Sequence, residues 1–303
     1  MSNVVLFGAG ASFGSDDDTC VPPLGAGLFD ALSTFSPQGW GAVPQHFAEL
    51  FRTNFEEGMR EFTQAHGGQN ADILQRAMAG YFFQFRPRPG SLYRRLARCA
   101  KQTGWDGAFA TLNYERLLEL ALAAEGVQPR VGSPSQPPGA IELCLPHGCC
   151  HIFGEVQASR AVSVHSGVLF DSGRVKVIAD PQEFTARLRD DVIPPVMSYF
   201  EPQKTTRSGV SFIKSQRDRY ARLVGEAEGV GVVGVRVRPH DVHIWGALRE
   251  SRARIVYCAG RSGGEEFRAW TEASGRRGDQ MLPVYWAEGF DDVCSAVGIN
   301  PFE

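Results

Sequence analysis

The feature that most limits how this chain folds stands at its start. Residues Asn3 to Gly8 form an apolar run that ends in Gly8-Ala9-Gly10-Ala11-Ser12. A strand that is apolar on successive residues is buried on both faces, so it belongs inside a parallel sheet covered by helices. Glycines directly after it mark a tight turn at the strand's carboxyl end, which is where open α/β sheets place their ligands.

The rest of the chain keeps to that plan. Helical spacing recurs at Leu28 to Phe35, Phe47 to Phe62, Ile73 to Phe83 and Leu92 to Ala100, which makes a helical insert of about 25–104. Ala108 to Leu112 reads as a second buried strand, and Tyr114 to Glu125 as the helix after it. Ser133 to Gly139 is a loop by composition; Ile141 to Leu145, Pro146-His147-Gly148 and a β-leaning stretch to about Ile178 follow, within an irregular insert of about 133–210. Val230 to Val237 with a helix near Val242 to Arg252, and Arg254 to Cys258 with a helix near Glu265 to Ser274, form two further β/α units. A strand from Met281 to Trp286 and a helix from Phe290 to Val297 close the chain. The expected fold is α/β, a Rossmann-like parallel sheet with helices on both faces, in a single domain spanning 1–303.

Composition sets outer limits. Of 303 residues, 43% are hydrophobic and 21% charged, which excludes a disordered or coiled-coil chain. Lys and Arg number 31 against 34 Asp and Glu, a net charge of −3, so no overall positive field draws nucleic acid or an anionic membrane. Seven cysteines, an odd number in a chain too long to need staples, fit a reducing cytoplasm. MSNVVLFGAGAS lacks the marks of a signal peptide, and no window approaches the roughly 20 apolar residues of a membrane span. A soluble cytoplasmic protein is expected.

Four short segments have chemistry to offer. Gly8-x-Gly10 suits a nucleotide pyrophosphate, because glycines let backbone N–H groups approach phosphate oxygens; a ligand-free tight turn is the alternative. Phe13 replaces the third glycine of the ordinary dinucleotide fingerprint. Thr111-Leu112-Asn113-Tyr114-Glu115 puts an amide at a strand tip, able to orient a hydroxyl or a water, or simply to cap a helix. Pro146-His147-Gly148 presents an imidazole that titrates near neutrality, or a surface turn histidine. Cys144, His147, Cys149, Cys150 and His151 invite a zinc reading, but no CxxC pair occurs, so buried free thiols and no metal are expected. Arg86, Arg88, Arg94, Arg95, Arg98 and Lys101 form the densest basic run, a solvated helix face or a docking surface for an acidic partner.

Taken together and in order, these segments resemble the sirtuin-like (SIR2-like) family, in particular the divergent bacterial branch of antiphage defence that includes the Thoeris NAD-cleaving effectors and HerA-associated sirtuin-like proteins. GAGAS resembles the family's first phosphate loop, TLNYE its T-x-N-[YI]-[DE] box, and Leu145-Pro-His-Gly148 its catalytic histidine box. Val233 to Trp245 looks like its late strand and polar loop, and Ile193-Pro-Pro195 with Lys204 is similar to segments of this branch. The chain departs from ordinary deacylases in lacking the four-cysteine zinc ribbon and the Pro-Asp-Phe-Arg segment; Val21-Pro-Pro-Leu-Gly25 stands in place of the latter, and Gly234-Val-Arg in place of a late Gly-Tyr-Ser.

The resemblance implies an NAD glycohydrolase that takes NAD as substrate, releases nicotinamide and ADP-ribose, and serves antiviral defence by NAD depletion. It implies Asn113 and His147 as catalytic residues, and Gly8, Ala9, Gly10, Ala11, Ser12, Thr111, Gly234 and Asp241 as nucleotide contacts. A homo-oligomer is expected, with a separate sensor such as a HerA-type ATPase or an Argonaute-like protein. Two alternatives stand beside it: a regulatory or scaffold subunit that binds NAD or ADP-ribose without turnover, and an NAD-dependent deacylase or ADP-ribosyltransferase.

Overall fold

All four residues of β1 (Val4–Phe7) are buried, and their alternation divides the molecule. Val5 and Phe7 enter one hydrophobic core, Val4 and Leu6 another. The structure is a computed structural model that describes residues 3–131, 139–155, 159–164, 167–172, 174–191, 193–198 and 208–301. Residues 133–138 of the expected loop, and Lys204, lie outside the described residues.

After β1 comes a single-turn helix, α1 (Ala9–Phe13), then five helices: α2 (Gly25–Phe35), α3 (Gln45–Thr53), α4 (Phe55–His66), α5 (Gly68–Phe83) and α6 (Leu92–Thr103). The helix expected over Phe47 to Phe62 is broken in two. Asn54 takes an extended conformation and its side chain accepts from Glu57 N at 3.3 Å, so an N-cap interrupts the apolar periodicity without erasing it. These helices share an aromatic core: Trp40 is fully buried, its Nε1 donates to Leu74 O at 2.9 Å, and Phe29 stacks on Phe51 at 5.4 Å.

The chain then runs through β2 (Ala108–Thr111), α7 (Leu117–Ala124), β3 (Gln128–Val131) and β4 (Ala140–Cys144). Four short strands follow, β5 (Ile152–Gly154), β6 (Ser159–Val164), β7 (Gly167–Ser172) and β8 (Val175–Val177), pairing as β5 with β8 and β6 with β7, both antiparallel. Helix α8 (Pro181–Asp190) lies inside the stretch expected to be irregular, started by Asp180, whose Oδ1 accepts from Glu183 N at 2.8 Å. Helix α9 (Val210–Glu226) has no counterpart among the expected elements. It buries Ile213, Gln216, Tyr220, Leu223 and Val224, a helical stripe diluted by charged neighbours.

Next come β9 (Gly229–Val233), α10 (Ala247–Glu250), β10 (Arg254–Cys258), α11 (Gly260–Ala273), β11 (Gln280–Leu282) and α12 (Trp286–Ala296). Residues Val242–Gly246 make a π-helical turn before α10, whereas a regular helix was expected there. Ile244, Trp245 and Gly246 are buried in this wider turn. The last strand ends at Leu282, because Trp286 already begins α12.

Seven strands form one parallel sheet in the order β11-β10-β9-β1-β2-β4-β3. One face is covered by the helices between β1 and β2 together with α7 and α12, the other by α9, α10 and α11. This is the expected Rossmann-like arrangement. The connection leaving β1 runs toward β2 and the one leaving β9 runs the opposite way toward β10, so the crevice between the carboxyl ends of β1 and β9 is a topological switch point. Among the described residues no helix is long and apolar enough to cross a membrane.

Candidate functional site

The glycine turn after β1 sits at that switch point, pressed against the turn after β9. Gly8 N donates to Val233 O at 2.9 Å, and Gly10 N to Gly234 O at 3.0 Å. Gly234 has φ +62°, and a Cβ on it would lie 2.0 Å from Ala11 N, so only glycine lets the two turns meet. Strand β9 therefore stops at Val233, and this reversal blocks the continuation expected as far as Val237. The close fit engages most of the turn's amides within the protein. The amides of Gly8, Gly10 and Ala11 donate to Val233 O, Gly234 O and Gly8 O, so these three build the turn, and Ala9, exposed at its apex, faces outward from it.

Ser12 joins a buried network. Its hydroxyl donates to Glu115 Oε1 at 2.5 Å, receives Asn113 Nδ2 at 2.8 Å, and lies 3.0 Å from Tyr93 Oη. One donor and two lone pairs are thus all engaged inside the protein. Asn113 Nδ2 donates in addition to Gly8 O at 3.0 Å, which fixes the amide's orientation and leaves its carbonyl Oδ1 as the group offered to the crevice. Thr111 Oγ1 accepts from Asn113 N at 3.1 Å and shapes the turn between β2 and α7. Glu115 anchors the network, since Leu117 N donates to its other oxygen; burial raises its carboxyl above the ordinary range, against the pull of these hydrogen bonds.

His147 follows β4, the strand beside β2, so it and Asn113 stand at neighbouring strand ends. Its carbonyl accepts from Ser198 N at 2.8 Å, and Gly148, at φ +78° with a Cβ position 2.0 Å from Val196 O, turns the chain immediately after it. The ring is buried and lies 6.4 Å from the Tyr114 ring, nearly parallel to it. His147 Nε2 is 2.8 Å from His243 Nε2, so one imidazole donates and the other accepts. His243 is not among the residues expected from the sequence. Its signal lies in Asp241-Val-His243 of the polar loop, two residues beyond the expected Asp241.

Asp241 is buried at the start of the π-helical turn, and its carbonyl accepts from Ile244 N and Trp245 N, both at 2.9 Å. Its carboxylate acts electrostatically on Tyr114 and on Arg217. Arg217 reaches across from α9 to Pro146 O and to Ser198 Oγ, both at 3.2 Å, and Tyr114 Oη donates to Ser198 O at 2.8 Å. Burial pushes the Tyr114 phenol well up, so it stays a neutral donor. From the helical insert, Glu56 of α4 pairs with Arg238 of the post-β9 loop, bringing that insert to the rim of the same crevice. The structure thus gathers Asn113, His147, Gly234 and Asp241 around the carboxyl ends of β2, β4 and β9, with Gly8 to Ser12 forming the wall behind them.

The remaining candidates lie apart. The basic run is spent internally: Arg94 and Arg98 pair with Glu125, Arg95 with Asp291 and Arg88 with Asp17. All seven cysteines are free, and only Cys20 is not buried. Cys149, Cys150 and His151 form a buried cluster whose ligand atoms lie within 4.8 Å of one another. Desolvation holds His151 down at about 3, and pushes Glu119 beside it up to about 8.

No protein-family model and no curated protein sequence matches this chain. Solved structures do. Sir2Tm bound to a propionylated peptide matches with a TM-score of 0.50 at 14% identity, over 99% of this chain and 94% of that one. A Sir2 homologue mutant in complex with ADP-ribose matches with a TM-score of 0.47 at 15% identity, over 98% and 91%. The first of these likenesses shows the fold: a parallel sheet arranged as in the sirtuins.

Proposed function

Starting from this sirtuin-like fold, we propose that the chain is an NAD glycohydrolase, cleaving the bond between nicotinamide and ribose to release nicotinamide and ADP-ribose. One observation carries the reading: an oriented amide, Asn113, and an imidazole, His147, stand at adjacent strand ends beside the switch-point crevice walled by Gly8 to Ser12 and Gly234.

The chemistry asks little beyond placement. The C1′–N bond breaks with its electron pair going to the pyridinium nitrogen, so the leaving group departs neutral and an oxocarbenium-like centre is left at C1′. Water adds to C1′ and its proton passes to His147 Nε2. Asn113 Oδ1, held by the bonds from Nδ2 to Gly8 O and Ser12 Oγ, accepts from that water or from a ribose hydroxyl. His243 Nε2 sits where a hydroxyl would meet His147 Nε2, and substrate replaces that contact. Asp241 accepts from a ribose hydroxyl, and the exposed Ala9 apex of the glycine turn lies along the pyrophosphate.

Hydrolysis of free NAD harms the cell that performs it, so we place the protein in antiviral defence, restrained by homo-oligomerisation or by a separate sensor protein. A monomer in mass photometry that is fully active alone contradicts that restraint. The reaction itself is tested by mass spectrometry of purified protein with NAD, alone and with an acylated lysine peptide. Nicotinamide and ADP-ribose without peptide support hydrolysis. Turnover only with the peptide, giving an acylated ADP-ribose, supports deacylation instead, and binding of NAD without any turnover supports a sensing subunit.

A further inference from the structure

Four ionisable side chains that the proposed reaction leaves unused meet in the core below His147. Cys149, Cys150 and His151 are successive, and in a strand their side chains would alternate between faces. They do not, because Ile152 N donates to Cys149 O at 3.2 Å and closes a four-residue turn. The turn is held from outside as well: Cys149 N donates to Val196 O at 3.0 Å, and Cys150 N to Tyr114 O at 2.9 Å. One ligand atom from each residue then falls within 4.8 Å of the other two, all three residues being buried. His151 Nδ1 lies 3.1 Å from Cys149 Sγ, while its Nε2 faces Glu119 Oε1 at 3.6 Å; Glu119 Oε2 lies 3.8 Å from Cys149 Sγ.

We propose that Cys149 Sγ, Cys150 Sγ and His151 Nδ1 bind a structural zinc ion, with the Glu119 carboxylate of α7, 3.6 Å from His151 Nε2, orienting the imidazole from behind. Thiolate sulfur and imidazole nitrogen are the donors zinc takes in structural sites, and thiolates select it over the hard cations magnesium and calcium. The charges close as well. A divalent ion with two thiolates is neutral, and Glu119 is balanced by Arg116, a buried guanidinium that acts electrostatically on both Glu119 and His151. Arg116 Nε has no hydrogen-bond partner among the described residues, and its head is held over the Phe83 ring at 3.7 Å. As a thiol, Cys149 donates to Tyr114 O at 3.2 Å and Glu115 O at 3.4 Å; metal binding releases that proton, and the ion becomes the shared partner of the two sulfurs and the imidazole in a desolvated core. Placed directly after the Gly148 turn and linked to α7, the ion would set the position of the His147 segment while taking no part in the reaction there.

The test uses the tag-free full chain, expressed with zinc and dialysed against metal-free buffer. Plasma mass spectrometry is expected to find about one zinc per chain, and X-ray absorption at the zinc edge a shell with two sulfurs. Cobalt in its place is expected to show thiolate-to-metal charge-transfer bands, lost in Cys149→Ser/Cys150→Ser. A parent chain that carries neither zinc nor cobalt, a shell without sulfur, or a folded double variant that keeps its zinc overturns the proposal. If the double variant does not fold, the absorption spectrum of the parent decides alone.

Discussion

At the scale of single residues, the site is made of groups whose orientations are forced. Asn113 has one arrangement because Gly8 O can only accept, and Ser12 has no lone pair or proton to spare. His147 is different, since its Nε2 meets another imidazole, which under the proposed reaction the substrate displaces. His243→Ala therefore lowers the KM for NAD and leaves kcat within about tenfold of the parent; a fall in kcat matching that of His147→Ala would make His243 a carrier of the proton. Gly234→Ala is expected to cost about 2–4 kcal/mol in chemical denaturation, because its Cβ meets backbone on the facing turn and no side chain can move aside. A cost below about 1 kcal/mol would show that the two turns separate easily. Burial pushes the thiols of Cys144, Cys258 and Cys294 up to about 12, leaving almost no thiolate at neutral pH. A thiol reagent near pH 8 is accordingly expected to titrate Cys20 alone in the native chain and all seven cysteines once metal is removed and the chain unfolded.

At the scale of elements, the sequence was most legible where one physical signal dominated. Continuous apolar runs announced β1, β2, β9 and β10, since central parallel strands are buried on both faces. It was least legible where a second force overrode periodicity. Asn54 caps α4 within an unbroken apolar pattern, Val242–Gly246 widens into a π-helical turn, and the stripe of α9 is hidden among Lys214, Arg217, Arg219 and Arg222. Of the site, the glycine turn, Asn113 and His147 stood out as motifs. Tyr93, Arg217 and Glu56 did not, because each meets the site from a distant segment and no local spacing records such a meeting, whereas His243 stands two residues from Asp241 in the same polar loop. The pairing of Glu56 with Arg238 ties the helical insert to the post-β9 loop. Glu56→Gln is expected to raise the KM for NAD several-fold with little change in kcat, as the loop carrying Asp241 and His243 loosens. A lower kcat at unchanged KM would mean that the insert acts on the chemistry and not on binding.

At the scale of the whole molecule, the fold brings two turns and two strand ends to the point where its connections diverge, and the rest of the chain holds them there. The sheet gives the crevice, the helical insert supplies its rim through Glu56 and the depth of its network through Tyr93, and α9 braces the His147 turn through Arg217. Reading this assembly as a hydrolase depends on the amide and the imidazole serving one bond. The most direct measurement is single-turnover release of nicotinamide from NAD by the parent, Asn113→Ala and His147→Ala, with NAD affinity and folding measured on the same samples. The account predicts that both variants stay folded, keep NAD affinity within about tenfold, and lose at least about 100-fold in rate. Nicotinamide release at the parental rate from either folded variant would contradict it.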